Sequence, residues 1–529
     1  MSFRIQLYMN LFKNTVVISL LTLVSRVTGL VREVLIASFF GVSAQTDAFF
    51  VAFRIPNLLR RLFAEGALTQ AFIPVLGQVK EANGDKKAFE LAFKVLCVLT
   101  AILILVTVLG IIGAPYLVLV MSGGFNGNDD TFKLSITLTQ IMFPYILFIS
   151  LVALASGVLN TFSEFKIPAF TPVLLNISFI ASIIFLTPHL MQGIWSLAFA
   201  VVGGGVLQLT FQIWGLKKIG FFRFYREFKQ ILNFPKKILI DDNIWKIIKL
   251  LIPASLAVSV AQLSLIINTH IASQLEEGSV SWLSYADRIM EFPTALLGVA
   301  LGTVLLPTLT RAWNRKETDK LSLMLAWGLK LVFFSTIPVC FLLLSFSLPI
   351  ASAIFHYGAF TSYDLLKASE AMTAYSFGII GLIAIKILAP GFYAQQNIKT
   401  PVKIAIVTLI ITQLLNVILV PRFGHTGLAL AISIGAIFNA SVLLYILIKK
   451  KIFIPGSDWL IFIFQVLFSS AILFIFLRFM SGLFDWVQMQ ETPLVRVIIV
   501  TSTLSLGAFI YIGVSWLLGL KLKTLINAY

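Results

Sequence analysis

The sequence predicts an all-α polytopic membrane protein of 14 transmembrane helices: two parallel six-helix repeats, the N and C lobes, and two extra C-terminal helices. Three observations carry that prediction. The first is composition. Of 529 residues, 59% are hydrophobic and 12% charged, and the mean hydropathy is +0.97, well outside the range of soluble domains. The second is a series of long runs without Asp, Glu, Lys or Arg: 95–128, 134–163, 167–216, 250–275, 331–363, 404–421, 423–448 and 497–520. A helix crosses a bilayer in about 20 apolar residues. Strands of a membrane barrel alternate polar and apolar positions over about ten residues, and these runs do not, so a barrel is excluded. The third is the distribution of positive charge between the runs.

Taken in order, the predicted spans are 14–38, 47–77, 90–121, 134–160, 166–187, 193–216, 246–275, 280–310, 322–349, 366–391, 401–421, 425–448, 459–481 and 494–518. The first is read as an anchor and not as a cleaved signal, because Lys13 is followed by an apolar stretch that runs into Arg26 and further helix, with no small-residue cleavage pattern. The net charge of +17 is an orientation signal. Between Lys217 and Lys249 stand nine Lys or Arg residues against three acids, which marks a cytoplasmic connection. The basic connections at 80–94, 311–320, 399–403 and 449–451 fall on the same side, whereas 122–130, 187–193 and 276–279 are neutral or acidic. Both termini are thereby expected in the cytoplasm, membrane lipids account for the remaining basic attraction, and nucleic acid is not an expected partner. Cys97 and Cys340 lie far apart in apolar runs and suggest neither a disulfide nor a metal site.

The chain repeats itself. Pro74, near the end of the second span, and Pro307, near the end of the eighth, are 233 residues apart; so are Pro168 and Pro401, which open the fifth and eleventh. Two landmarks with one offset relate spans 1–6 to spans 7–12, and six crossings per half preserve orientation. The expected organisation is an N lobe at 1–220, a cytoplasmic linker at 221–245, a C lobe at 246–450, and the two extra helices at 451–529.

Charges lie where lipid should reject them. Arg26, Arg32 and Glu33 are in the first span, Asp47, Arg54, Arg60, Arg61 and Glu65 in the second, and Asp287, Arg288 and Glu291 in the eighth. At roughly 2.5–3.5 kcal/mol for each Arg at mid-membrane, six lipid-facing arginines would cost more than about 15 kcal/mol. They must snorkel, pair, or line a wet interior. Snorkelling is the plain alternative for Arg26 and Asp47. At about 100° per residue, Asp47, Arg54, Arg61 and Glu65 fall within roughly 40° of one another, with Arg60 off the stripe unless Pro56 kinks the helix. Arg26 and Glu33 share a face, and Asp287, Arg288 and Glu291 are spaced for local ion pairs. The charged spans belong to both halves, and transporters bind substrate at repeat interfaces. Excess arginine over carboxylate points to an anionic ligand of phosphate or carboxylate geometry. Lys386 either adds to that pocket or snorkels. A lipid-processing enzyme would need paired carboxylates or histidines, often with a metal. His189, His270, His356 and His425 are scattered, Asp129–Asp130 and Asp241–Asp242 read as solvated, and no catalytic or metal-binding set is expected.

At SRVTGLVRE from Ser25, TDAFFVAFRIPNLLRRLFAEGALTQAFIPVL from Thr46, SVSWLSYADRIMEFPTALLGVALGTVLLP from Ser279 and LAPGFYAQQNIKTPVKIAI from Leu388, the sequence closely resembles the MurJ (MviN) family of lipid II flippases, within the multidrug/oligosaccharidyl-lipid/polysaccharide exporter superfamily. The likeness runs through essentially the whole chain. It implies a flippase, not an enzyme, of the bacterial inner membrane. Such a protein carries an undecaprenyl-diphosphate-linked peptidoglycan precursor to the periplasmic leaflet by alternating access; the charges of cargo and empty site make membrane potential the expected driver. By motif, the substrate-binding arginines correspond to Arg26, Arg32, Arg60 and Arg288, and the family's acidic residue before AFF to Asp47. Glu33, Arg54, Arg61, Glu65, Asp287, Glu291 and Lys386 are supporting or gating candidates. Glu33 departs from the family's usual Asp. The family emphasises Arg60 where the helical stripe favours Arg61, and a kink at Pro56 reconciles them. The resemblance also assigns the last two helices to a groove for the lipid tail. It implies lipid II and membrane lipids as partners, a monomer beside the peptidoglycan synthesis machinery, and no cofactor, with Na⁺ or H⁺ as alternative coupling ions. Competing functions are export of another polyprenyl-linked saccharide or of a drug, an intramembrane enzyme, and a scaffold. The excess of arginine disfavours cationic drugs, and a scaffold leaves the arginines unexplained.

Overall fold

The computed structural model describes residues 2–60, 68–127, 129–224, 241–294 and 300–520. Among the described residues, seventeen α-helices follow in chain order: α1 Ser2–Phe40, α2 Ala44–Arg60, α3 Thr69–Ile112, α4 Ala114–Ser122, α5 Asp129–Met142, α6 Tyr145–Thr161, α7 Lys166–Ala181, α8 Trp195–Lys218, α9 Asp242–Ala272, α10 Ser279–Pro293, α11 Ala300–Asn314, α12 Thr318–Phe355, α13 Ser362–Tyr393, α14 Lys399–Phe423, α15 His425–Lys449, α16 Trp459–Gly482 and α17 Pro493–Leu517. Several are fragments of one crossing. Gly84, at φ 78° and ψ 176°, bends α3 so that the second crossing ends and the third begins inside it. Such a φ suits glycine, which has no Cβ to clash. Gly113 separates α3 from α4, and Phe143–Pro144 separates α5 from α6. With α10 and α11 as the halves of the eighth crossing, the architecture is the all-helical, 14-crossing membrane fold. Ten helices are long and apolar enough to span a bilayer among the described residues. The repeat is visible in the helix starts: α7 opens Lys166-Ile-Pro168 and α14 opens Lys399-Thr-Pro401.

The chain forms two compact units, 1–274 and 275–529. In the first, α1 packs on α7, α7 on α8, α2 on α5, and α3 on α6. The helix α9 belongs here as well, against α3 and α4. Its Ile244 and Ile247 join a buried cluster with Phe72, Leu76, Phe89 and Leu159. At the start of α9, Asp241 caps Asn243 N at 3.0 Å and accepts from Lys94 Nζ of α3 at 2.8 Å.

In the second unit the tightest seam joins α13 to α15. A Cβ on Gly381 would lie 2.5 Å from the Ala436 carbonyl carbon, and one on Gly378 2.9 Å from Ser433 Cα. Lipid-embedded helices gain little from hydrophobic exclusion and rely on close backbone approach at small residues. The two C-terminal helices are moored to α12. Tyr511 of α17 donates to Phe334 O at 2.7 Å, and Ser352 donates to Trp486 O in the α16–α17 connection at 2.9 Å. Arg496 of α17 is fully buried. Its Nη2 donates to His356 O at 2.9 Å and its Nη1 to Ser352 Oγ at 3.2 Å, with the Tyr357 ring 4.6 Å from Cζ.

His356, just past the end of α12, has no exposed surface. Burial first, and the Arg496 cation second, push its pKa below the ordinary 6.5; Asp364 opposes them weakly. The unfolded chain therefore binds the proton more readily than the folded one. This site's contribution to stability is complete above about pH 6.5 and declines as pH falls through that value. We expect the unfolding temperature of the purified protein to drop between about pH 7 and 5.5, and the drop to be smaller in His356→Gln; equal drops would mean that other groups govern the acid limb.

Candidate functional site

The charged site of the first unit is assembled by α1, α2 and α7. One face of α1 is lipid-like: Leu23, Val27 and Leu30 are exposed. Arg32 and Glu33 lie off that face and are buried, at 8% and 4% exposure. Arg32 Nη2 pairs with Glu33 Oε1, and Nη1 donates to Asn176 Oδ1 of α7 at 3.0 Å. The Phe179 ring, one turn beyond Asn176, stands 5.1 Å from the guanidinium carbon, within the range of cation–π attraction. Phe179 in turn meets Phe49 and Phe53 of α2 edge-on, at 6.3 and 6.0 Å. Arg32 is thus supported along one edge by oxygen and on one face by a ring, while its Nε is buried without a hydrogen-bond partner among the described residues. By spacing Glu33 shares a face with Arg26, yet its carboxylate pairs with Arg32.

Asp47, 2% exposed, lies in the first turn of α2, where the positive end of the helix dipole favours a carboxylate. Two turns on, Arg54 Nη1 donates to Thr269 Oγ1 of α9 at 2.7 Å. Arg60, at the end of α2, donates through Nε and Nη2 to Asn57 Oδ1 at 2.9 and 2.8 Å. Arg26 is half-buried. Arg61 and Glu65 lie outside the described residues. In the second unit, Arg288 and Glu291 of α10 form the ion pair expected from their three-residue spacing, at 3.0 Å, with side-chain exposures of 35% and 52%. Asp287 beside them is half-buried, and Lys386 of α13 is exposed.

Asn176, Phe179 and Thr269 were not singled out from the sequence. Each is an ordinary residue for an apolar helix, and only its contact with a distant arginine gives it meaning. Arg496, within four residues of a helix start, reads in the sequence as interfacial snorkelling, and its full burial shows otherwise. Three of the four histidines lean on backbone carbonyls: His189 on Phe185 O, His270 on Val120 O and His425 on Lys367 O. No three His, Cys, Asp or Glu residues form a metal-ligand group among the described residues. What the arginine site can do is electrostatic. A buried guanidinium with donors to spare, held by fixed neighbours, suits an anion with several oxygens.

The family model for lipid II flippase MurJ matches residues 36–496. The chain belongs to the MurJ family. A MurJ of Burkholderia cenocepacia, a lipid II flippase, is 47% identical over 97% of this chain and 98% of its own. A probable MurJ of Vibrio cholerae is 36% identical over 99% of both chains. Among solved structures, a MurJ in an inward closed conformation superposes with a TM-score of 0.74 at 27% identity, covering 94% of this chain and 98% of its own. An inward-facing multidrug MATE transporter of the MOP superfamily superposes at 0.66 and 14% identity, over 81% of this chain and 94% of its own; this likeness is one of fold. The family model's match enters both units and takes in α2 and α10; it begins at residue 36, near the end of α1 and after Arg26, Arg32 and Glu33.

Proposed function

We propose that this chain is a lipid II flippase, a transporter and not an enzyme, which carries the undecaprenyl-diphosphate-linked precursor across the bacterial inner membrane by alternating access. The observation that carries the reading is full-length similarity to MurJ, at 47% identity over 97% of the chain. The arginine site supports it in chemical terms. Arg26, Arg32, Arg60 and Arg288 would hold the diphosphate, whose oxygens match arginine forks. Glu33, Asp47, Asp287 and Glu291 would balance the empty cations, and Arg54, Arg61, Glu65 and Lys386 would support the site. The helices α16 and α17, with outward Leu460, Phe464, Phe479 and Phe509, would give the polyprenyl tail an apolar track. By the positive-inside rule, the basic connections support a cytoplasmic position for both termini.

Membrane potential is the proposed driver. One charge moved through 100 mV changes energy by about 2.3 kcal/mol, and an inside-negative potential pushes anionic cargo outward and returns a cationic empty site inward. The test is translocation of lipid II in liposomes containing the purified protein. An inside-negative potential should raise the rate over that of collapsed vesicles, by up to about 50-fold for one charge moved through 100 mV. Equal rates would remove the voltage step, and no movement under either condition would overturn lipid II as the cargo.

A further inference from the structure

Asn176 is nearly buried, at 7% exposure, and spends its whole side chain on α1. Its Nδ2 donates to Ser25 O at 3.0 Å and to Thr28 Oγ1 at 3.1 Å, while Oδ1 accepts from Arg32 Nη1 at 3.0 Å. The orientation is chemically forced. A backbone carbonyl can only accept, so the amide nitrogen must face Ser25 and the oxygen must face Arg32. The Thr28 hydroxyl gives its proton to Val24 O at 2.9 Å, which leaves its lone pairs for Asn176. One amide therefore ties α7 to two successive turns of α1 and presents a single neutral acceptor to the guanidinium.

Neutrality matters here. Arg32 already has one carboxylate partner, Glu33. A second would cancel the charge that an anionic ligand needs, whereas an apolar residue would free the guanidinium to swing. Of the surrounding helices, α7 from 167 to 181 and α8 from 195 to 216 carry no ionisable residue, while α2 carries one acid, Asp47, against two cations, Arg54 and Arg60. The buried Nε of Arg32 still lacks a partner among the described residues, and an unmatched buried donor is a standing cost that a ligand oxygen can relieve.

We propose that Asn176 is a positioning residue of the anion site, fixing the Arg32 guanidinium toward the polyprenyl diphosphate without neutralising it. This rests on the reading of Arg32 as a diphosphate-binding residue. The test uses the full chain in nanodiscs with undecaprenyl diphosphate as probe, and compares Asn176→Leu, Asn176→Asp, Arg32→Ala and the Asn176→Leu/Arg32→Ala double variant. Losing an oriented charge-assisted contact should weaken binding about tenfold in Asn176→Leu. In the Arg32→Ala background the same change should cost less than about twofold, because the two residues act as one unit. Asn176→Asp, which keeps the acceptor atom, should bind at least as poorly as Asn176→Leu. A purely structural asparagine would weaken both backgrounds equally, and an aspartate variant with unchanged affinity would remove the argument from neutrality; either overturns the proposal. If Arg32→Ala alone binds normally, the assignment of Arg32 falls, and the positioning role with it. Should Asn176→Leu fail to elute as a folded protein, Asn176→Ser, which is smaller and still polar, takes its place in the cycle with the same expected non-additivity.

Discussion

Replacing Arg288 by alanine is expected to lower lipid II translocation by about 10- to 100-fold while leaving insertion and folding intact. A hydrogen bond to a charged group contributes about 1.5–3 kcal/mol, and each 1.4 kcal/mol is about a factor of ten in affinity. The Arg288–Glu291 pair itself adds little to stability: it stands at 3.0 Å with both side chains a third or more exposed, and such pairs contribute about 0–1 kcal/mol. Loss of transport without loss of stability is therefore the signature to look for, in liposomes whose outward-facing lipid II is counted over time. Arg288→Lys should recover only part of the rate, since an ammonium cannot form the planar fork. Wild-type transport by the alanine variant would remove Arg288 from the substrate site.

The second large effect is expected on stability, from Arg496→Leu. Exchanging a buried ion pair for apolar residues is often neutral, but Arg496 is held by uncharged partners that stay behind. Its removal takes the Arg496 donor from the His356 carbonyl and one bond from the Ser352 hydroxyl, which still donates to Trp486 O, and an unmatched buried group costs about 1–3 kcal/mol. It also takes away the guanidinium that lies against the Tyr357 ring. A net loss of about 2–4 kcal/mol follows. The nearby Trp486 is 2% exposed, so its fluorescence should report the transition at a lower temperature, with the α16–α17 connection becoming sensitive to protease first. An unchanged transition would show that α17 is held by its Tyr511 contact and its packing alone. Because Arg496, Ser352, His356 and Tyr357 are not among the residues assigned to the anion site, diphosphate affinity measured below the transition should be unchanged.

Much of this molecule follows from sequence because a bilayer imposes a one-dimensional rule. Backbone groups in hydrocarbon must be bonded within their own segment, so charge-free runs become helices, and basic connections orient them. That rule locates the crossings. The offset between Pro168 and Pro401 reappears in α7 and α14, each with lysine first and proline third. The extended motifs around Arg26, Arg54 and Arg288 led to the family. Helical periodicity also put Arg288 within reach of Glu291, because that pair lies on one helix.

Pairing across helices obeys no such rule. Arg32 finds its acceptor 144 residues away, Arg54 finds Thr269 215 residues away, and Arg496 meets His356 140 residues away. Periodicity says which way a side chain points around its own axis; it does not say which neighbouring helix stands there, or at what height. Nor does hydropathy assign α9 to the unit of α3 and α4, where Ile244, Ile247 and the Lys94–Asp241 bond hold it. The chain's apolar pattern thus determines how many times it crosses the membrane and with what charges. The packing of α1, α2 and α7 decides how Arg32 is buried, what holds it and which donor it keeps in reserve, because those depend on distances between helices far apart in the sequence.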